Sequence, residues 1–408
     1  MTQRTCLCGL CGVNVVGLKC SPPEPAQAAS PKRQASVYKT WKIRGVDIAP
    51  ATLHGRKNLL LPAIKMTRVL LTGASGFIAT HILDILFAHG HSVRITVRSE
   101  EKAQKIVSAY PEHADKLDYV IVPDIAAAGA FDKAVQSEPP FEAVLHTASP
   151  FHFRVTDIRK DLLDPAINGT TGILHAIKKY APSVKRVVIT SSFASIIDPT
   201  KGTRPGHVYS EADWNPVTIE EATRDPGTGY RASKTLAEKS AWNFVEDEKP
   251  NFEISTINPP LVFGPIKEYS SSSLDAINTS NEVFRNIVQG KYKEKLPPNG
   301  TYVWVDVRDV AAAHVAAFEK PEAAGKRFFI VEGSYFSNQQ IADIIVKNFP
   351  EYKDQVPAQR EANDGFNYKE GEIYTVDNSR SKQVLGLKYH TFEQSVVDTI
   401  KSLKALGL

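Results

Sequence analysis

Cysteine is missing from most of this chain: Cys6, Cys8, Cys11 and Cys20 are its only four, all within the first twenty of 408 residues. A body without thiols has no disulfide framework and no cysteine nucleophile, and it fits a reducing, cytoplasmic compartment. Methionine is scarcer still. Met1 and Met66 are the only two, and Met66 directly precedes the first strand-like run, Thr67-Arg-Val-Leu-Leu-Thr72. The Cys-Leu-Cys-Gly-Leu-Cys run lacks the paired spacing of a zinc site and a nearby histidine, so no metal is expected. Long apolar runs are also absent: Leu7 to Leu18 is interrupted by Gly, Asn and Cys, which leaves no membrane span to propose.

Acidic residues are nearly absent from residues 1–65, where ten Lys or Arg face only Glu24 and Asp47. The whole chain carries a formal +4, so the body is left at −4 and offers no basic surface for nucleic acid. Residues 21–36 are rich in Pro, Ala, Ser and Gln, a composition that buries too little apolar surface to offset chain entropy. This predicts a disordered basic leader over 1–65, either dispensable or an organelle-targeting segment.

From Thr67 the chain alternates short apolar strands with helical stretches, which predicts an α/β fold: a Rossmann-type, doubly wound parallel sheet with a smaller C-terminal substrate-binding part. The expected strands are Arg68 to Leu71, Ser92 to Val97, Leu117 to Val122, Ala143 to Thr147, Arg186 to Thr190 and Glu253 to Ile257. Residues 66–260 are expected to bind the dinucleotide and 261–408 the substrate, with 301–332 returning to the first unit. Thr72-Gly-Ala-Ser-Gly-Phe-Ile-Ala79 joins the first strand to the first helix. Gly73 permits the tight turn, Gly76 lets backbone amides approach a pyrophosphate, and Ala79 keeps helix and strand close; Ser75, Phe77 and Ile78 belong to the same turn.

An acid is missing from the end of the second strand, which reads Val97-Arg98-Ser99. An acid there would hold the ribose hydroxyls and repel a 2′-phosphate, whereas Arg98, reinforced by Lys102, attracts it; NADPH is therefore favoured over NADH. Asp124 and Ile125 follow the third strand, suited to the amino group and face of adenine. Thr147, Ala148 and Ser149 follow the fourth, where the cofactor backbone would pass.

The chemistry is expected further on. Of 14 tyrosines, only Tyr38 and Tyr230 have a lysine four residues later, and only Tyr230 with Lys234 lies downstream of the glycine turn. Four apart, they share one face of a helix reading from about Tyr230 to Glu248. Tyr230 would protonate a substrate carbonyl oxygen that Ser192 also binds, while hydride comes from the nicotinamide. A phenol of pKa about 10 acting near neutrality needs a shift of roughly three units, about 4 kcal/mol, expected from Lys234 and the oxidised nicotinamide. Asn168 is a candidate for holding a relay water near Lys234, with a local helix contact as the alternative. Lys267 to Ser280, with four consecutive serines, reads as a lid.

These residues together resemble the extended short-chain dehydrogenase/reductase superfamily, the NAD-dependent epimerase/dehydratase family, over nearly all of residues 66–408. Within it, Gly73 to Ala79, Arg98 to Lys102, Val122-Pro-Asp124, Leu145 to Phe151, Thr190-Ser-Ser192, Tyr230 to Lys234, Asn258-Pro259, Val262 to Pro265 and Val305 to Val310 are similar to fungal NADPH-dependent methylglyoxal and aldehyde reductases and dihydroflavonol reductase. The resemblance implies a Ser192, Tyr230, Lys234 triad with Asn168 as a fourth member, Pro259 and Val262 beside the cofactor, and Phe151, Phe153, Phe193, Ile197 and Leu261 near the substrate. That apolar set suits a hydrophobic carbonyl compound handled by a monomer or homodimer. An NAD-dependent nucleotide-sugar epimerase or dehydratase, and a non-catalytic dinucleotide sensor, stay open as alternatives.

Overall fold

The chain divides into units 1–61 and 62–408. The computed structural model describes residues 66–149, 156–271, 273–357 and 371–408, all within the second. The readings made for the leader, and for Phe151 and Phe153, lie outside the described residues.

The strands are β1 (Arg68–Thr72), β2 (Ser92–Val97), β3 (Leu117–Ile121), β4 (Ala143–His146), β5 (Arg186–Thr190), β6 (Val208–Tyr209), β7 (Glu253–Asn258), β8 (Leu261–Phe263), β9 (Trp304–Asp306), β10 (Lys326–Phe329) and β11 (Thr375–Val376). The helices are α1 (Phe77–Ala88), α2 (Glu100–Ala109), α3 (Asp164–Tyr180), α4 (Ile219–Ala222), α5 (Pro226–Glu248), α6 (Glu282–Val288), α7 (Val307–Glu319), α8 (Asn338–Asn348) and α9 (Phe392–Ala405). Seven strands form one parallel sheet in the order β10-β7-β5-β4-β1-β2-β3.

Alternation along β1 shows why both faces of this sheet are covered. Val69 and Leu71 join a core made with α1, α2 and α7, while Leu70 points the other way into a core with α3 and α5. All three are fully buried, and each such side chain contributes roughly 1.5–3 kcal/mol of transfer free energy. A strand apolar on both faces belongs in the middle of a parallel sheet. The order reverses between β1 and β4, and it is outside the strand ends at such a reversal that these sheets open a crevice.

Two strands form within residues 301–332, β9 and β10. Residues 301–307 form only a three-residue strand, β9, which pairs with β8 in a separate two-stranded sheet. The strand that joins the main sheet beyond β7 is β10. Phe263, Phe284, Trp304, Ile341 and Ile400 gather a further core from β8, α6, β9, α8 and α9. The start of the segment read as a lid is tied down: Lys267 Nζ lies 2.6 Å from Asp84, and the Tyr269 hydroxyl 2.8 Å from that of Tyr110.

Candidate active site

The glycine turn begins with Gly73 at φ +70°, a conformation open to glycine at little cost. Space forbids a side chain as well, since a Cβ there would lie 2.8 Å from the Ala148 Cα. The loop after β4 approaches that closely because it is stitched to the end of β1. Thr147 Oγ1 donates to the Thr72 carbonyl at 2.6 Å, and the Ala148 amide donates to Thr72 Oγ1 at 3.2 Å. Thr96, which the sequence reading missed, receives the Gly73 amide on its hydroxyl and the Ala74 amide on its carbonyl.

A cleft of about 270 Å³ results, lined by Gly73, Ser75, Gly76, Arg98, Lys102, Asp124, Ile125, Thr147, Ala148 and Ser149, with Thr96, Val97, Val122 and Pro123 completing it. Arg98 and Lys102 are exposed at one end, and neither makes an ion pair among the described residues. The N-terminus of α1, preceded by Gly76, has no side-chain cap and no acidic residue in its first turn, so its amides and dipole suit an anion. Phe77, Ile78, Pro259 and Val262 do not line this cleft. Phe77, Ile78 and Val262 pack into the core, and the Pro259 carbonyl accepts the Phe193 amide at 2.8 Å.

The cleft ends at Ser149, and there the second group of residues begins. Lys234 Nζ donates to Ser149 Oγ at 2.8 Å. Tyr230 and Lys234 stand one turn apart on α5, with the ammonium 5.8 Å from the centre of the phenol ring. The helix starts a turn earlier than the sequence spacing suggested, because Asp225 caps it by accepting the Thr228 amide and Pro226 occupies its first position. Ser192 follows β5 as the cap of a short 3₁₀ turn, its hydroxyl accepting the Ala194 amide at 3.1 Å, and its side chain acts to lower the pKa of the Tyr230 phenol.

Charge in this corner is set by burial. Removal from water lowers Lys234 to about 8 and pushes the Tyr230 phenol above its usual value, with the Ser192 hydrogen bond opposing that rise. Lys234 alone does not produce the lowering expected from it and the oxidised nicotinamide together. The ammonium is directed at Ser149, so desolvation dominates and the phenol stays protonated at neutral pH. His146, whose Nδ1 is 2.8 Å from Thr72 Oγ1, falls to about 3 through burial and the Lys234 charge, and is neutral.

Four expected members stand elsewhere. Asn168 is exposed and lines a separate depression with Ala126 to Gly129, Asp132 and His175. Its helix buries Ala166, Gly169, Thr170, Ile173, Leu174 and Ile177; Gly169 and Thr170, beside that stripe's edge, share a small cavity with Lys234. The 3.6-residue apolar stripe in the sequence could have shown this. Phe193 is buried in an aromatic cluster, stacked on Phe329 at 4.8 Å and edge-on to Tyr209, so its ring is committed to packing. Ile197 packs against the same cluster, and Leu261 against the C-terminal core.

The model of the NAD dependent epimerase/dehydratase family matches residues 69–331. The chain belongs to that family. It is similar to the ketoreductase azaE of Aspergillus niger, at 47% identity over 82% of this chain and 97% of that protein. It is also similar to the NADPH-dependent methylglyoxal reductase GRE2 of Saccharomyces cerevisiae, at 39% identity over 82% and 97%. Among solved structures, Candida albicans Gre2 in complex with NADPH superposes with a TM-score of 0.78 at 37% identity, over 84% of this chain and all of that one.

Proposed function

We propose that this protein is an NADPH-dependent carbonyl reductase acting on aldehydes or ketones of hydrophobic character. One observation carries the reading: the cleft running from Arg98 and Lys102 past the glycine turn ends at Ser149, which holds the ammonium of Lys234. A phosphate-bearing dinucleotide laid along that cleft would have its far end beside Tyr230 and Ser192. The relatives named above, a ketoreductase and a methylglyoxal reductase, support the same class of chemistry.

The bound cofactor supplies hydride to the carbonyl carbon. Ser192, whose oxygen already accepts the Ala194 amide, directs its proton toward the oxygen shared with Tyr230. Tyr230, kept protonated by burial, delivers its proton to the developing alkoxide. Lys234 holds the cofactor end of the cleft with Ser149 and stabilises the phenolate left behind. Arg98 and Lys102 receive the 2′-phosphate. Residues 66–260 with 301–332 form the cofactor-binding part in this reading, and the remainder covers the substrate. Among the described residues no helix is long and apolar enough to cross a membrane, and the thiol-free body supports a cytoplasmic placement.

The test is to purify the full chain and follow NADPH absorbance against aldehydes, diketones and aryl ketones. Oxidation coupled to alcohol formation is expected; cofactor binding without turnover on any of them would leave the sensor reading standing.

A further inference from the structure

A charged residue lies on the buried stripe of α5, between Ala237 and Ala241. Glu238 follows Lys234 by one turn and Tyr230 by two, so all three share one face of the helix. Its carboxylate is fully shielded from solvent and paired with Arg327 of β10 at 2.6 Å. One oxygen accepts Ser191 Oγ and Ser195 Oγ, each at 2.5 Å, and the Asn258 amide at 2.7 Å. The other accepts Arg327 Nε and Thr256 Oγ1.

Two of these partners bracket Ser192: Ser191 directly precedes it, and Ser195 ends the turn that it caps. Asn258 reaches the same stretch a second way, donating to Ser195 Oγ at 2.9 Å and to the Ser192 carbonyl at 3.4 Å. Arg327 Nη1 donates to the carbonyls of Glu211 and Asp213, Nη2 donates to Ser195 Oγ at 3.4 Å and to the Glu238 oxygen shared by Ser191 and Ser195 at 3.5 Å, and the guanidinium lies 3.6 Å from the centre of the Trp214 ring. The carboxylate is thus satisfied at both oxygens by groups from the turn after β5, from β7 and from β10. Such a cluster is costly to assemble and highly directional once complete.

We propose that Glu238 is a positioning residue for the reaction: by gripping the chain on both sides of Ser192 from the helix that carries Tyr230, it sets where the Ser192 hydroxyl stands relative to the Tyr230 phenol. The inference rests on the carbonyl-reductase reading of that site. Glu238 lines the same small cavity as Lys234 and acts through the placement of Ser192. The Ser192 bond favours the phenolate, so a displaced Ser192 leaves the phenol harder to ionise.

The experiment follows the reverse reaction, oxidation of an alcohol by NADP⁺, in which the alcohol carbon gives hydride to the cofactor and its hydroxyl proton passes to the ionised Tyr230. The rate rises with pH as that phenol ionises. Glu238→Gln should move the midpoint of this rise upward by about half a pH unit or more, as Ser192→Ala does, with NADPH affinity kept within about threefold. In the Ser192→Ala background, Glu238→Gln should move it no further. Ser195→Ala keeps the carboxylate and its ion pair and should give a smaller upward shift, which covers failure of Glu238→Gln to fold. A midpoint unchanged in Glu238→Gln and Ser195→Ala, with melting temperature alone lowered, overturns the positioning role. A midpoint unmoved by Ser192→Ala itself overturns the Ser192 part of the active-site reading, and the inference with it. Additive shifts in the double variant mean that Glu238 acts by another route.

Discussion

Lys234 donates to Ser149 Oγ at 2.8 Å, while the ring of Tyr230, one turn away on the same helix, lies 5.8 Å from that ammonium. The ammonium thereby links the glycine-turn cleft to the chemical corner. Ser192, which acts to lower the phenol's pKa, comes from a different strand end.

Burial has brought Lys234 down to about 8, so the ammonium is present below that pH and lost above it. The rate constant kcat/KM for NADPH, which reports the free enzyme, is expected to fall with a midpoint near 8. A Lys234→Met variant should lack this limb and most of the activity. It should also melt a few degrees higher, because the charged form is disfavoured by its surroundings at neutral pH. A wild-type profile flat to pH 10 would contradict the assignment.

Tyr230→Phe removes the proton donor and keeps the ring. Loss of kcat by about 10²–10⁴-fold is expected, with NADPH affinity by fluorescence titration changed less than about threefold. Equal losses of both would make Tyr230 a packing residue.

Gly73→Ala meets both a left-handed backbone and the Ala148 Cα at 2.8 Å. A destabilisation of about 1–3 kcal/mol is expected from denaturant melts, together with NADPH affinity weakened by at least about tenfold as the turn opens.

Arg98→Asp places an acid where the cleft offers a cation. The NADPH to NADH preference, measured as a ratio of kcat/KM, should fall by about 10- to 100-fold, with Lys102 holding the residual bias. An unchanged ratio would move the phosphate away from this end of the cleft.

Asn168→Ala should leave kcat within about twofold, since the side chain is exposed beside Asp132 and His175 and does not share the Lys234 cavity. A large loss would return Asn168 to the reaction.

Much of this architecture is written in short-range signals. The alternation of apolar runs, the glycine turn after β1, the basic residue after β2 and the four-residue spacing of Tyr230 and Lys234 each act within one element, where neighbouring side chains decide the outcome. The Asp225-Pro226 start of α5 is an equally local signal.

Packing between separate elements sets the facings and the distant partners. Asn168 turns outward because α3 buries the stripe beside it, and Phe193 turns into the stack with Phe329 because the strand ends converge there. Glu238 meets Arg327 across 89 residues, a pairing no local pattern announces. A strand, a glycine turn and a Tyr-Lys helix are encoded locally, since those depend on backbone propensity and spacing. Which side chains enter the site depends on packing between elements far apart in the chain, where burial and hydrogen-bond satisfaction are settled only once the sheet has closed.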